Sequence, residues 1–180
     1  MKNLLLLVVM LVAGAGASPA LAQRHDRHIY SLGAHAGRSD KGHYAELSYL
    51  SYLTNHIALR VGGIYEYGTL PGRGKYSSFN GRVLFAPQLF RIGEFAYVHL
   101  LLGGGGGYEQ TNLDGSGDLA PNTDNPRRLT FGPQAGAEVD FFLGNRVSVV
   151  ATATKSYLFR NPLIQEWPGQ AGVGLRYHFR

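Results

Sequence analysis

The sequence predicts an eight-stranded antiparallel transmembrane β-barrel carried behind a cleaved signal peptide, and three observations predict it. The first 22 residues have the form of an export signal, several later segments alternate apolar and polar residues with period two, and the links between those segments alternate in length. The composition agrees: 25 Gly, 11 Tyr and 9 Phe stand against only 16% charged residues, which suits a tightly curved sheet facing two different solvents.

Lys2 supplies a short positive start, Leu4 to Val12 form an unbroken apolar run, and Ser18-Pro19-Ala20-Leu21-Ala22 has the small-x-small form that a signal peptidase accepts. Residues 1–22 are therefore read as a signal peptide, with Gln23 as the mature start and 23–180 as one barrel domain. No later stretch approaches the roughly 20 apolar residues that a membrane helix needs, which excludes a helical membrane protein. Cysteine is absent, so disulfides and thiolate metal sites are excluded, and without a lipobox Cys the chain does not read as a lipoprotein. The formal charge of +5 falls to +4 once Lys2 leaves, and the remaining basic residues are scattered. That argues against a nucleic-acid stripe.

Side chains on a strand alternate between faces, and a barrel in lipid must keep one face apolar. His28 to Arg38 and Tyr44 to Leu53 read as the first two strands, although both carry aromatics on either face. In the third, Ile57, Leu59, Val61, Gly63 and Tyr65 alternate with Ala58, Arg60, Gly62, Ile64 and Glu66. In the fourth, Phe79, Val83, Phe85 and Leu89 share a face opposite Asn80, Arg82 and Gln88. The fifth, Phe95 to Gly107, contains the solid apolar run Val98 to Leu102. The sixth, Leu129 to Phe141, is the clearest: Leu129, Phe131, Pro133, Ala135, Ala137, Val139 and Phe141 alternate with Thr130, Gly132, Gln134, Gly136, Glu138 and Asp140. Arg146 to Leu158 is the seventh, and in the eighth Val173, Leu175, Tyr177 and Phe179 alternate with Gly172, Gly174, Arg176 and His178.

Short links are expected at Thr54-Asn55, Arg91 to Gly93 and Gly144-Asn145, with Asn and Gly supplying the positive φ of tight hairpins. Longer links fall between them at Ser39 to Lys41, Gly68 to Tyr76, Glu109 to Arg128 and Arg160 to Pro168. Outer-membrane barrels alternate short periplasmic turns with longer outer loops, so both chain ends belong on the periplasmic side. The outward face is too extensively apolar for eight short strands to cover one another, and in hydrocarbon the sheet must close to leave no edge. An eight-stranded barrel fills its interior with side chains. The inward set Glu46, Arg60, Glu66, Arg82, Glu138, Asp140 and Arg176 predicts a salt-bridged plug rather than a pore. Tyr65, Tyr67, Phe79, Phe90, Phe95, Tyr108, Phe141, Phe142, Tyr157, Trp167, Tyr177 and Phe179 lie mostly near strand ends, where aromatic rings favour the headgroup level.

The sequence holds few arrangements that could carry chemistry. Of the seven His, His25 and His28 lie at the chain start, His35 and His99 on the less regular strands, His43 and His56 at strand ends, and His178 in the periplasmic half of the lumen. None has a Ser or acid at a spacing that fixes a triad. Asp114-Gly115-Ser116-Gly117-Asp118 has a calcium-loop-like opening, but its twelfth position is Asn125 rather than a bidentate Glu. Gly103 to Gly107 lacks the Lys and Ser/Thr of a phosphate loop and is read as a site of sharp curvature. Lys155, on the apolar parity near the outer end, is placed to snorkel to lipopolysaccharide phosphate or to stand exposed without a partner. No catalytic, cofactor-binding or metal-binding residue is assigned, and the chain is not read as an enzyme.

The run Gln170-Ala171-Gly172-Val173-Gly174-Leu175-Arg176-Tyr177-His178-Phe179 resembles the signal by which the barrel-assembly machinery recognises its substrates. With Gly107-Tyr108-Glu109, the stretch Arg128-Leu129-Thr130-Phe131-Gly132-Pro133-Gln134-Ala135-Gly136-Ala137-Glu138 and Phe142-Leu143-Gly144-Asn145-Arg146, it also makes the second half similar to the TraO family of conjugative-transposon transfer proteins from Bacteroidetes. The first half fits loosely. The resemblance implies an accessory component of a conjugative DNA-transfer apparatus in the outer membrane of a Gram-negative bacterium, with other transfer-apparatus proteins, outer-membrane lipid and lipopolysaccharide as partners and no direct contact with nucleic acid. It carries over no functional residues. A free-standing barrel that binds lipopolysaccharide or extracellular partners through its loops is the alternative reading, and a lipid A-modifying enzyme is a third. The loops Gly68 to Tyr76, basic through Arg73 and Lys75, and Glu109 to Arg128, with Glu109, Asp114, Asp118 and Asp124 ahead of Arg127 and Arg128, are the expected recognition surfaces.

Overall fold

The computed structural model describes residues 29–70, 74–112, 127–159, 162 and 165–179. The expected signal peptide 1–22 and the start at Gln23 lie outside them, as do His25, His28, Arg73 and the stretch containing Asp114, Asp118 and Asp124. Eight strands follow in order: β1 Tyr30–Ser39, β2 Gly42–Thr54, β3 Ile57–Leu70, β4 Gly74–Ile92, β5 Ala96–Asn112, β6 Arg127–Phe142, β7 Val147–Ser156 and β8 Gly169–Phe179. Each pairs antiparallel with its neighbours, and β1 closes on β8 from Tyr30↔Phe179 to Ser39↔Gln170. The expected eight-stranded antiparallel barrel is the observed one, and the segment Gln170 to Phe179 lies in the strand that seals it.

Cα partners around the wall run Tyr30, Ser51, Leu59, Phe85, Leu102, Ala135, Lys155 and Gly169. They return to β1 at Asp40, whose amide donates to the Gly169 carbonyl at 3.0 Å. One circuit thus climbs ten residues, from Tyr30 to Asp40, and that stagger tilts the strands by roughly 40°. Tilted strands of this length are long enough to cross a hydrocarbon layer.

The middle strands are longer than expected. β3 and β4 stay paired up to Leu70↔Gly74, which takes in most of the Gly68 to Tyr76 link, and β5 and β6 pair Glu109↔Arg128 and Gln110↔Arg127 inside the expected long loop. Polar residues there continue the ladder toward the loop end, where alternation of hydrophobicity no longer marks a strand. The Ser39 to Lys41 link, expected to be long, is the two-residue turn Asp40-Lys41. Gly42 permits it with φ 153°, and a Cβ there would meet the Tyr67 carbonyl at 2.2 Å. At the opposite end the turns are Asn55-His56, Gly93 to Phe95 and Leu143 to Arg146; Gly93 has the expected positive φ (61°) and Gly144 does not.

Burial alternates along the strands. Outward stand Leu32, Leu47, Val61, Val83, Phe85, Val173 and Leu175, all well exposed. A register shift between Gln88 and Phe90 turns both Leu89 and Phe90 outward (55% and 54% exposed), so a bulge carries Phe90 to the expected outer face against its parity. Phe142 departs from the expected girdle. Its neighbour Phe141 takes the outward position, and Phe142 packs edge-on against Tyr97 (5.4 Å) and stacks on His178 (4.9 Å). At the chain-terminal end the lumen is filled by Ile29, Leu50, Tyr52, Ala58, Leu84, Ala86 and Leu101, an apolar floor below the charged layer.

Candidate functional site

Six of the seven expected inward charges join into one chain across the lumen. From β4, Arg82 Nε donates to Glu46 Oε1 at 3.0 Å and its Nη2 donates to Glu46 Oε2. From β3, Arg60 Nη2 donates to both Glu46 oxygens at 2.9 Å, and its Nη1 donates across the barrel to Glu138 Oε2 on β6. Glu138 Oε1 lies 2.7 Å from Arg176 Nη2, and Arg176 Nη1 donates to Asp140 Oδ2 at 2.5 Å. All six are buried, none above 4% exposed, and three guanidinium groups balance three carboxylates. Buried ions are tolerated when each is paired and hydrogen-bonded; here the planar Arg fork meets two carboxylates at once.

Local sequence makes room for these side chains. A Cβ at Gly62, two residues from Arg60 on the same face, would meet Glu46 Oε1 at 2.6 Å. Likewise a Cβ at Gly174 or Gly33 would meet the His35 ring at 2.5 and 2.9 Å. Glycine at these inward positions is what lets charged and imidazole groups lie flat against the opposite wall. Gly62→Ala is expected to destabilise the folded barrel by about 1–3 kcal/mol through overpacking, read from the urea midpoint in detergent, because the carboxylate it displaces is held by two arginines.

Glu66, the seventh, is buried but outside this chain: it accepts from Ser78 Oγ at 3.3 Å, and no cation lies within ion-pair distance of it among the described residues. Nearer the loop end is an ion pair that the sequence reading missed. Lys41 Nζ donates to Glu109 Oε1, Tyr76 OH donates to the same oxygen at 3.2 Å, and the ammonium lies 5.6 Å from the Tyr76 ring centroid. Glu109 was expected in a recognition loop; it is 1% exposed because β5 runs on through it with inward parity. The signal was available in the spacing from His99 and Leu101, whose parity Glu109 shares. Between the two ionic layers is a cavity of about 50 Å³ lined by Lys41, Glu66, Arg82, Glu109, Gln134 and Gln170 among others, large enough for a few waters.

His35, His99 and His178 all point into the lumen and are buried, whereas His43 and His56 are exposed at strand ends. Ser148 Oγ donates to Asp140 Oδ1 at 3.0 Å and lies 3.0 Å from His178 Nε2, so the imidazole Nε2–H is the donor to the hydroxyl. Ser thus stands between acid and His. A hydrolytic triad needs His between Ser and acid, and all three members of this trio are buried. His99, Glu138 and Asp140 offer donor atoms within 4.8 Å of one another, but a divalent cation there would face Arg60 and Arg176, which already neutralise both carboxylates.

The barrel's geometry has close counterparts. The N-terminal β-barrel domain of Pseudomonas aeruginosa OprF superimposes with a TM-score of 0.60 at 13% identity, covering 85% of this chain and 98% of that one. The architecture is that of a small outer-membrane barrel. Neisserial surface protein A matches with a TM-score of 0.57 at 14% identity over 84% of this chain and 96% of its own. Ail, the attachment invasion locus protein of Yersinia pestis, matches with a TM-score of 0.54 at 18% identity over 84% and 97%. No family model and no curated protein matches the sequence. The likeness is therefore one of fold.

Proposed function

We propose that this chain is a non-catalytic outer-membrane barrel that acts through its surfaces, as a structural component of a conjugative DNA-transfer apparatus. The observation that carries the first part is the lumen: two ionic layers and an apolar floor fill it, leaving the exterior and the loop end as the working surfaces. An apolar belt around the wall, with Leu47 72% exposed, supports insertion in a lipid layer. The transfer role is supported by the resemblance of the second half to TraO proteins, and recognition of β8 by the assembly machinery by its alternating aromatic ending.

The test is affinity purification from solubilised outer membranes, paired with conductance in planar bilayers. Co-purification of transfer-apparatus proteins and a barrel that passes no ionic current are expected; step-like ion conductance from the folded barrel would overturn the plugged reading. A free-standing barrel that binds lipopolysaccharide is the second reading, favoured by basic residues on the outer part of the wall, and its sign is purification with lipid and without protein partners.

A further inference from the structure

We infer that the outer part of the β2–β4 wall is a binding site for one phosphorylated, acylated glycolipid of the lipid A class. The inference rests on the proposed membrane insertion. A groove of about 660 Å³ runs over this wall, lined by His43, Tyr65, Tyr67, Thr69, Lys75 and Ser77 among others. That volume lies in the range that ligand sites use, roughly 300–1,000 Å³. Its rings are already ordered: His43 stacks on Tyr67 at 5.8 Å and Tyr67 on Tyr65 at 6.1 Å.

Charge settles the headgroup. Lys75 and Arg38, the latter paired in register with His43, are exposed, and neither has an acid within ion-pair distance among the described residues. The acid nearest in sequence to Arg38, Asp40, is turned to the Gly169 amide at 2.7 Å. Cations left unpaired at the aromatic level of a lipid-facing wall complement a phosphate headgroup. The wall just below gives the acyl chain its place. Gly63 and Gly81 are partners in register and lie next to Tyr65 and Phe79 on the outward face. A Cβ at Gly81 would meet nothing within 4 Å, and at Gly63 only Phe79, at 3.8 Å. The bare backbone at this pair, flanked by Tyr65 and Phe79, leaves a gap in the outward face that we assign as the channel for an acyl chain.

The experiment is native mass spectrometry of the full chain refolded into detergent micelles, with bisphosphorylated hexa-acyl lipid A or the same lipid stripped of phosphate as the probe. Heat-modifiable migration on gels reports folding separately. One retained lipid A per barrel is expected, with Arg38→Ser/Lys75→Ser weakening retention by about fivefold per cation removed. Gly81→Leu, which fills the channel without touching charge, also weakens it, while Arg146→Ser at the opposite rim does not. Equal retention of phosphorylated and stripped lipid, or equal loss in the Arg146 variant, overturns the site. A folded barrel that captures no lipid overturns the site alone; a chain that stays monomeric in water and never folds in micelles overturns the membrane reading as well.

Discussion

Replacing Arg60 with Met is expected to remove about 3–5 kcal/mol of folded-state stability, measured by urea unfolding in detergent micelles with far-ultraviolet circular dichroism as the probe. Arg60 is fully buried and joins Glu46 on β2 to Glu138 on β6. Without it, Arg82 still neutralises Glu46, but Glu138 and Asp140 must share Arg176. One buried negative charge is then left over. The double variant Arg60→Met/Glu138→Gln restores the balance, with Arg82 facing Glu46 and Arg176 facing Asp140, and is expected to recover more than half of the loss. Arg60→Lys keeps the charge without the planar fork and falls between the two. Equal destabilisation of the single and double variants would assign the loss to packing and remove the electrostatic account of the plug.

Much of this network was legible beforehand because its members fall on strands with clean alternation. Arg60, Glu138, Asp140 and Arg176 each sit opposite an unbroken apolar series, so parity alone turns them inward. What was not legible has physical causes. Leu50, Leu84 and Leu101 line the floor of the lumen, and a strand apolar on both faces carries no period-two signal. Phe90 needed a bulge that parity does not announce, and Phe142 was placed by its nearness to a strand end when Phe141 already held the outward position. Glu109 stood in a polar stretch that resembled a loop, although its partner Lys41 sits at the top of β1–β2, 68 residues away in sequence. Long-range ion pairs of that kind follow from register and closure, which no local pattern encodes. His35, His99 and His178 were seen as individual residues; their common enclosure emerges only when the wall closes.

Leu47→Arg addresses the outer face in the same way. Leu47 is 72% exposed, midway along β2, with Glu46 and Ser48 on either side turned inward. On a protein bathed in water, a charge at so exposed a position changes stability by no more than about 0.5 kcal/mol. In a bilayer the same guanidinium lies near the midplane, and the expected cost is about 2–4 kcal/mol, measured as a lowered urea midpoint after refolding into phosphatidylcholine vesicles. Depth provides the control. Lys155, outward on β7 at the pair with Gly169 where β8 begins, lies close to the lipid–water boundary, so Lys155→Leu is expected to change stability little. The steep contrast between two exposed positions is what a hydrocarbon solvent imposes and water does not. A Leu47→Arg barrel as stable as the parent would mean that the apolar belt is covered by something other than acyl chains.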